Sequence, residues 1–107
     1  MSAESEATLQ QALRHPTATP GQIHQAGRQL IARGEKEKAL EIFELNAELN
    51  PNIWPVNVGM ARGLSAVGRY EDAIPYVVAA QANAPDQLNK DNLERLKGLL
   101  EEGKDIN

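Results

Sequence analysis

At 107 residues the chain supports one domain with a modest core, and its net charge of −4 gives no overall reason to expect nucleic acid as a partner. It has no cysteine, which excludes a disulfide framework and thiolate metal sites without fixing a compartment. Aromatic residues make up only 4%, so helices that pack together must meet on small side chains.

No apolar run approaches the roughly 20 residues that span a bilayer. The opening Met1-Ser2-Ala3-Glu4-Ser5-Glu6 is acidic and polar, unlike a signal peptide. Helical periodicity then runs almost everywhere. Residues 3–14 read as a helix, with Leu9, Ala12 and Leu13 on one stripe. Thr19-Pro20-Gly21-Gln22 starts the next one: Thr19 caps, Pro20 suits the first helical position and Gln22 completes a capping box. That helix is expected from Pro20 to Arg33, with Ile23, Ala26, Gly27 and Leu30 inward and Gly34 as its stop. A helix from Glu37 to Leu49 follows, with Ala39, Leu40, Ile42 and Phe43 inward, and Asn50-Pro51 ends it. The pattern then predicts helices from Trp54 to Ala66, closed by Gly68, and from Glu71 to Asn83, closed by Ala84-Pro85. Pro75 removes one backbone hydrogen bond from the latter and bends it slightly. A last amphipathic helix is expected over residues 87–102, with Leu93, Leu96 and Leu100 on one face.

Two stretches repeat at a spacing of 34 residues. Gly34 is answered by Gly68, Glu37 by Glu71, Ala39 by Ala73 and Pro51 by Pro85. Leu40/Ile74, Ile42/Tyr76 and Phe43/Val77 keep large, mostly apolar side chains in register. Self-similarity at such a period marks a stacked array, in which each unit buries its apolar face on a neighbour. The units are 20–53 and 54–87. Residues 3–14 stand as the second helix of an earlier, degenerate unit, and 87–102 as a capping helix whose inner face is offset by about two residues.

These residues resemble the tetratricopeptide repeat, a helix–turn–helix unit of the same length. Counted from Pro20 and Trp54, the family's small residue in the first helix falls on Gly27 and Ala61, and the large one after it on Leu30 and Leu64. The inter-helix glycine falls on Gly34 and Gly68, with the following aromatic only at Tyr70. The small residue of the second helix falls on Ala39 and Ala73, the next large one on Phe43 and Val77, the later small one on Ala80 and the final proline on Pro51 and Pro85. Lys36, Asn46 and Asn57 depart from the pattern and are expected to loosen the packing. The tail Leu99–Asn107 resembles the ends of larger bacterial proteins of unknown function that finish in such repeats. The resemblance implies an all-α solenoid, with two full repeats between a half-repeat helix and a capping helix.

Catalytic chemistry finds little support. His15 lies in a linker and His24 on the exposed side of its helix, and neither has an acidic partner at helix spacing. Gly59, Gly63 and Gly68 lie along a helix and at its end rather than in a phosphate loop. Glu37, Glu41, Glu44 and Glu48 read as a solvated outer face. No enzyme activity, cofactor or metal is expected.

Charge separates by helix. The first helices of the two units carry Arg28, Arg33 and Arg62 and no acid, while the second helices carry the glutamates. In the repeat family the first helices line a concave groove, which would make that groove positive. His24, Gln25, Arg28, Val58, Arg62 and Ser65 are its expected lining. The Lys and Asn clamp of the family's chaperone-tail binders is absent, with His24, Arg28 and Gly59 at those positions. The expected function is binding of a protein or peptide, biased toward acidic ligands, with neither nucleic acid nor membrane as partner. The alternative is a structural appendage that packs on a parent domain or self-associates as a weak homodimer.

Overall fold

The computed structural model describes residues 11–14 and 18–107, and among these every regular element is helical, with no strand. Residues 11–13 are helical, at the end of the helix expected over 3–14. The rest of that expectation, with Ser5, Leu9, His15 and Pro16, lies outside the described residues. Five complete helices come after it: α1 (Pro20–Ala32), α2 (Lys36–Leu49), α3 (Trp54–Ala66), α4 (Tyr70–Asn83) and α5 (Gln87–Glu101). Each boundary falls within one residue of the expected one, and α4 runs through Pro75 unbroken.

Local chemistry sets the ends. The Thr19 hydroxyl accepts from the Gln22 amide at 3.1 Å, and the Gln22 side chain accepts from the Thr19 amide at 2.8 Å, which is the expected capping box. Asp86 caps α5 by accepting from the Asn89 amide at 2.8 Å. Gly34, Gly68 and Gly103 close α1, α3 and α5 with φ of 79°, 84° and 71°, a conformation open to glycine at little cost. All three turns have the same two bonds. Each glycine amide reaches back three residues, and the amide after it reaches the carbonyl five back: Glu35 to Leu30, Arg69 to Leu64 and Lys104 to Leu99, each at 2.9 Å. The spacing from Gly68 to Gly103 is one residue longer than from Gly34 to Gly68. That extra residue accounts for part of the offset expected of the last inner face. Counted back from its glycine, Leu96 matches Ala61 and Gly27, and all three are buried.

Consecutive helices pack on one another, and α1 also touches α3. Antiparallel pairing is fixed by cross-contacts: Asn46 reaches Pro20, while Phe43 lies at Gly27. The core is one continuous cluster that includes Ile23, Leu30, Phe43, Ala61, Val77 and Leu93. Its centre is Phe43, the single phenylalanine of the chain, fully buried between α1 and α3. Three glycines make the slot. A Cβ on Gly27 would come within 2.6 Å of the ring, one on Gly59 within 2.7 Å and one on Gly63 within 3.0 Å. Burying a ring of this size contributes about 1.5–3 kcal/mol, and the glycines let the helices close on it.

Asn46 does not loosen the packing, contrary to expectation. It is 1% exposed, donates to the Pro20 carbonyl at 3.0 Å and accepts from the Asn50 side chain at 2.9 Å. A buried amide satisfied on both sides ties the end of α2 to the start of α1.

Candidate binding face

The sequence-predicted lining residues come from α1 (His24, Gln25, Arg28) and α3 (Val58, Arg62, Ser65), two helices that touch. Their exposures differ sharply. Gln25 and Arg28 are exposed, His24 and Arg62 are half-buried, and Val58 and Ser65 are buried.

His24 is not the plain surface histidine that its helical position predicts. Its ring meets Phe43 edge-on, with centroids 5.4 Å apart and planes at 63°. Gly59 leaves the room for this, since a Cβ there would lie 3.1 Å from Nδ1. Nδ1 is buried and meets no hydrogen-bond partner among the described residues. Burial first, then the charges of Arg62 and Arg28, hold the histidine below its usual pKa. Arg62 answers similarly: burial, Arg28 and Arg95 disfavour its charge, and Asp105 supports it. Its Nε is also buried without a partner among the described residues. The face thus gathers two arginines and a histidine, and neither α1 nor α3 contains an acidic residue.

What compensates this charge comes from outside both helices. After Gly103 the chain crosses onto α3. Ser65 Oγ donates to the Asp105 carboxylate at 2.9 Å, and the Ile106 amide donates to Ser65 Oγ at 3.4 Å. Arg62 Nη1 donates to the Ile106 carbonyl at 3.2 Å, and the Asn107 side-chain amide donates to the Arg62 carbonyl at 2.8 Å. Ile106 itself is 7% exposed and joins the core cluster. Burial pulls the Asp105 carboxyl upward, but bonds from Asn107 and Ser65, with the charge of Lys36, outweigh it and hold the group below its usual range.

So Gln25 and Arg28 on α1 are exposed, while Arg62 and Ser65 on α3 are engaged by residues 105–107. Sequence reasoning named Arg62 and Ser65 but not their occupant. The available signal was Ile106, an apolar residue isolated in a polar tail and flanked by hydrogen-bonding side chains.

On α2, Glu37, Glu41, Glu44 and Glu48 are exposed, as a solvated face requires. Glu48 pairs with Arg14 at 3.2 Å, and these residues stand 34 apart in sequence. The pair is solvent-exposed and contributes little stability, but it sets the N-terminal helical segment beside α2. Among the described residues no group of His, Cys, Asp or Glu is arranged to hold a metal ion, and no helix is long and apolar enough to cross a membrane.

Comparison of the chain with protein-family models, with curated proteins and with solved structures gave no match.

Proposed function

We propose that this chain is a tetratricopeptide-like helical array that binds a protein or peptide segment on the face of α1 and α3, and that its ligands are acidic. The observation that carries the reading is the clustering of His24, Arg28 and Arg62 on two helices without an acid, where the two arginines disfavour a charge on His24 and Arg28 disfavours that of Arg62. A carboxylate ligand relieves that repulsion, and an arginine can fork two hydrogen bonds onto it. The glycine turns after α1 and α3 and the antiparallel pairing of neighbouring helices support the array. The exposed glutamates of α2 support the direction of the bias, since they repel acidic ligands from that helix.

Exposed ion pairs contribute roughly 0–1 kcal/mol each, so affinity is modest and falls as salt rises. Val58 is too buried to add much apolar contact. The test is calorimetric titration of acidic peptides against the parent and the double variant Arg28→Glu/Arg62→Glu, with helicity checked by circular dichroism. The parent binds, and the reversed variant keeps its helicity and does not. A parent that binds no acidic peptide, or a variant that binds as well, leaves the structural-appendage reading as the better one.

A further inference from the structure

Residues 105–107 lie on α3 in the way a bound peptide would. An acidic side chain meets Ser65, the next residue buries an aliphatic side chain, and its backbone is held at both polar groups. The Ile106 amide and carbonyl are engaged by Ser65 and Arg62, so part of the recognition is of main chain, independent of residue type. Three side chains carry the sequence-dependent part: the carboxylate of Asp105, the branched side chain of Ile106 and the amide of Asn107, which donates to the Arg62 carbonyl and to Ser65 Oγ. A polar or charged group in place of Ile106 would be buried without a partner, whereas any aliphatic group of similar size fits.

We infer that the α3 half of the face selects extended segments with an acidic residue followed directly by a branched aliphatic one, and that the chain's own Asp105-Ile106 is the resident competitor for that place. The inference rests on the binding role proposed above and adds to it the sequence read and the step that precedes binding. Arg28 and Gln25 are exposed, so an incoming acidic segment can first land on α1 and then displace the tail from α3. Beyond the Gly103 turn residues 104–107 belong to no helix, so they can leave α3 without unwinding one. Because a site open for only part of the time binds with an affinity reduced by that fraction, the docked tail weakens every ligand that needs α3.

The experiment uses the full chain and a tail-released variant, Asp105→Ala/Ile106→Ser, with both proteins checked for equal helicity. The probe is a synthetic peptide carrying Lys-Asp-Ile-Asn between Gly-Ser flanks. Two control peptides replace its Asp by Asn or its Ile by Ser, and a Glu-rich peptide without aliphatic residues serves as a generic acidic ligand. The released variant is expected to bind the Asp-Ile peptide at least about fivefold more tightly than the parent, and each control peptide is expected to lose about that much on the released variant. In the parent, an isotope-labelled Ile106 methyl resonance should move to its free position as the Asp-Ile peptide saturates the protein. Equal affinities for parent and released variant, or three peptides that bind alike, overturn the inference. If the Glu-rich peptide still binds the parent, that failure leaves the acidic-face reading standing. If no acidic peptide binds either protein while the Ile106 resonance stays docked, the acidic-face reading falls as well.

Discussion

Two halves of the α1/α3 face that share an arginine at equivalent positions have opposite fates. Arg28 and Arg62 stand 34 residues apart, yet Arg28 is exposed and Arg62 is half-buried beneath the tail. The helices differ at one place that matters, since Ser65, which holds the tail, has Ile31 as its equivalent on α1. Both end in the same glycine turn, and both lack acids. The other difference lies in the residues after the third such turn. After Gly34 and Gly68 the chain supplies an amphipathic helix, so the turn feeds another layer. Among residues 104–107 only Ile106 is buried, and residues 105–107 lie over α3. The turn is the same at all three places, while the apolar pattern of the residues after it differs.

The most severe way to break the comparison is to remove the floor the two halves share. Phe43 underlies His24 on α1 and Gly59 on α3. Phe43→Ala should cost about 3–5 kcal/mol, read from denaturant unfolding. A loss near zero would mean that the two helices do not depend on a common core. A smaller effect should come from filling the slot. In a helix alanine is favoured over glycine by about 1 kcal/mol, so a gain would be expected if there were space. There is none at Gly27 or Gly59, where the new Cβ would overlap the buried ring, and overpacking costs about 1–3 kcal/mol. Gly59→Ala should therefore destabilise despite its better propensity, and it should also push His24 outward. A more stable Gly59→Ala protein would show that the ring moves freely.

The smallest effect sharpens the contrast through pH. An unfolded histidine takes up its proton around 6.5, while the folded His24 resists it because burial and two arginines oppose the charge. The unfolded state therefore binds more protons as pH falls through 6.5, and stability drops until the pH passes below the folded value. Asp105 acts in a separate window. Its folded pKa is depressed below 3.8, so its contribution is present above that value and is lost as the pH falls further. Thermal melts between about pH 8 and 5 should show a decline that His24→Gln flattens and Asp105→Asn does not. A parent whose melting point is level across that range would remove the strain assigned to His24.

The helices were legible in the sequence because their signals are local. The Thr19 capping box, the glycines at Gly34 and Gly68 and the prolines at Pro51 and Pro85 act within a turn of the chain and need no distant partner. The stripes of Ile23, Leu30, Ala39 and Phe43 were legible for the same reason, through helical spacing. What sequence reading missed depends on contacts between segments. Asn46 looks like a packing fault until Pro20, 26 residues earlier, offers its carbonyl. His24 looks exposed until Gly59 leaves a notch for its ring. Gly59 and Gly63 suggest at most a phosphate loop, and Gly59 a clamp position without its side chain, whereas their role is the space they leave for Phe43. Ser65 looks like an open groove position until Asp105, 40 residues later, comes to it.

The glycine-lined slot also makes the molecule its own sensor. Phe43 is the chain's single phenylalanine, and its ring lies against Gly27 on α1 and Gly59 and Gly63 on α3. Rotation of the ring about its own axis sweeps a volume that the closed slot does not contain, so each half-turn requires the flanking helices to separate briefly. The flip rate of this one ring therefore times the breathing of α1 and α3 against α2. A single fluorine placed on Phe43 would report that motion at one resonance, without a label on the charged face itself.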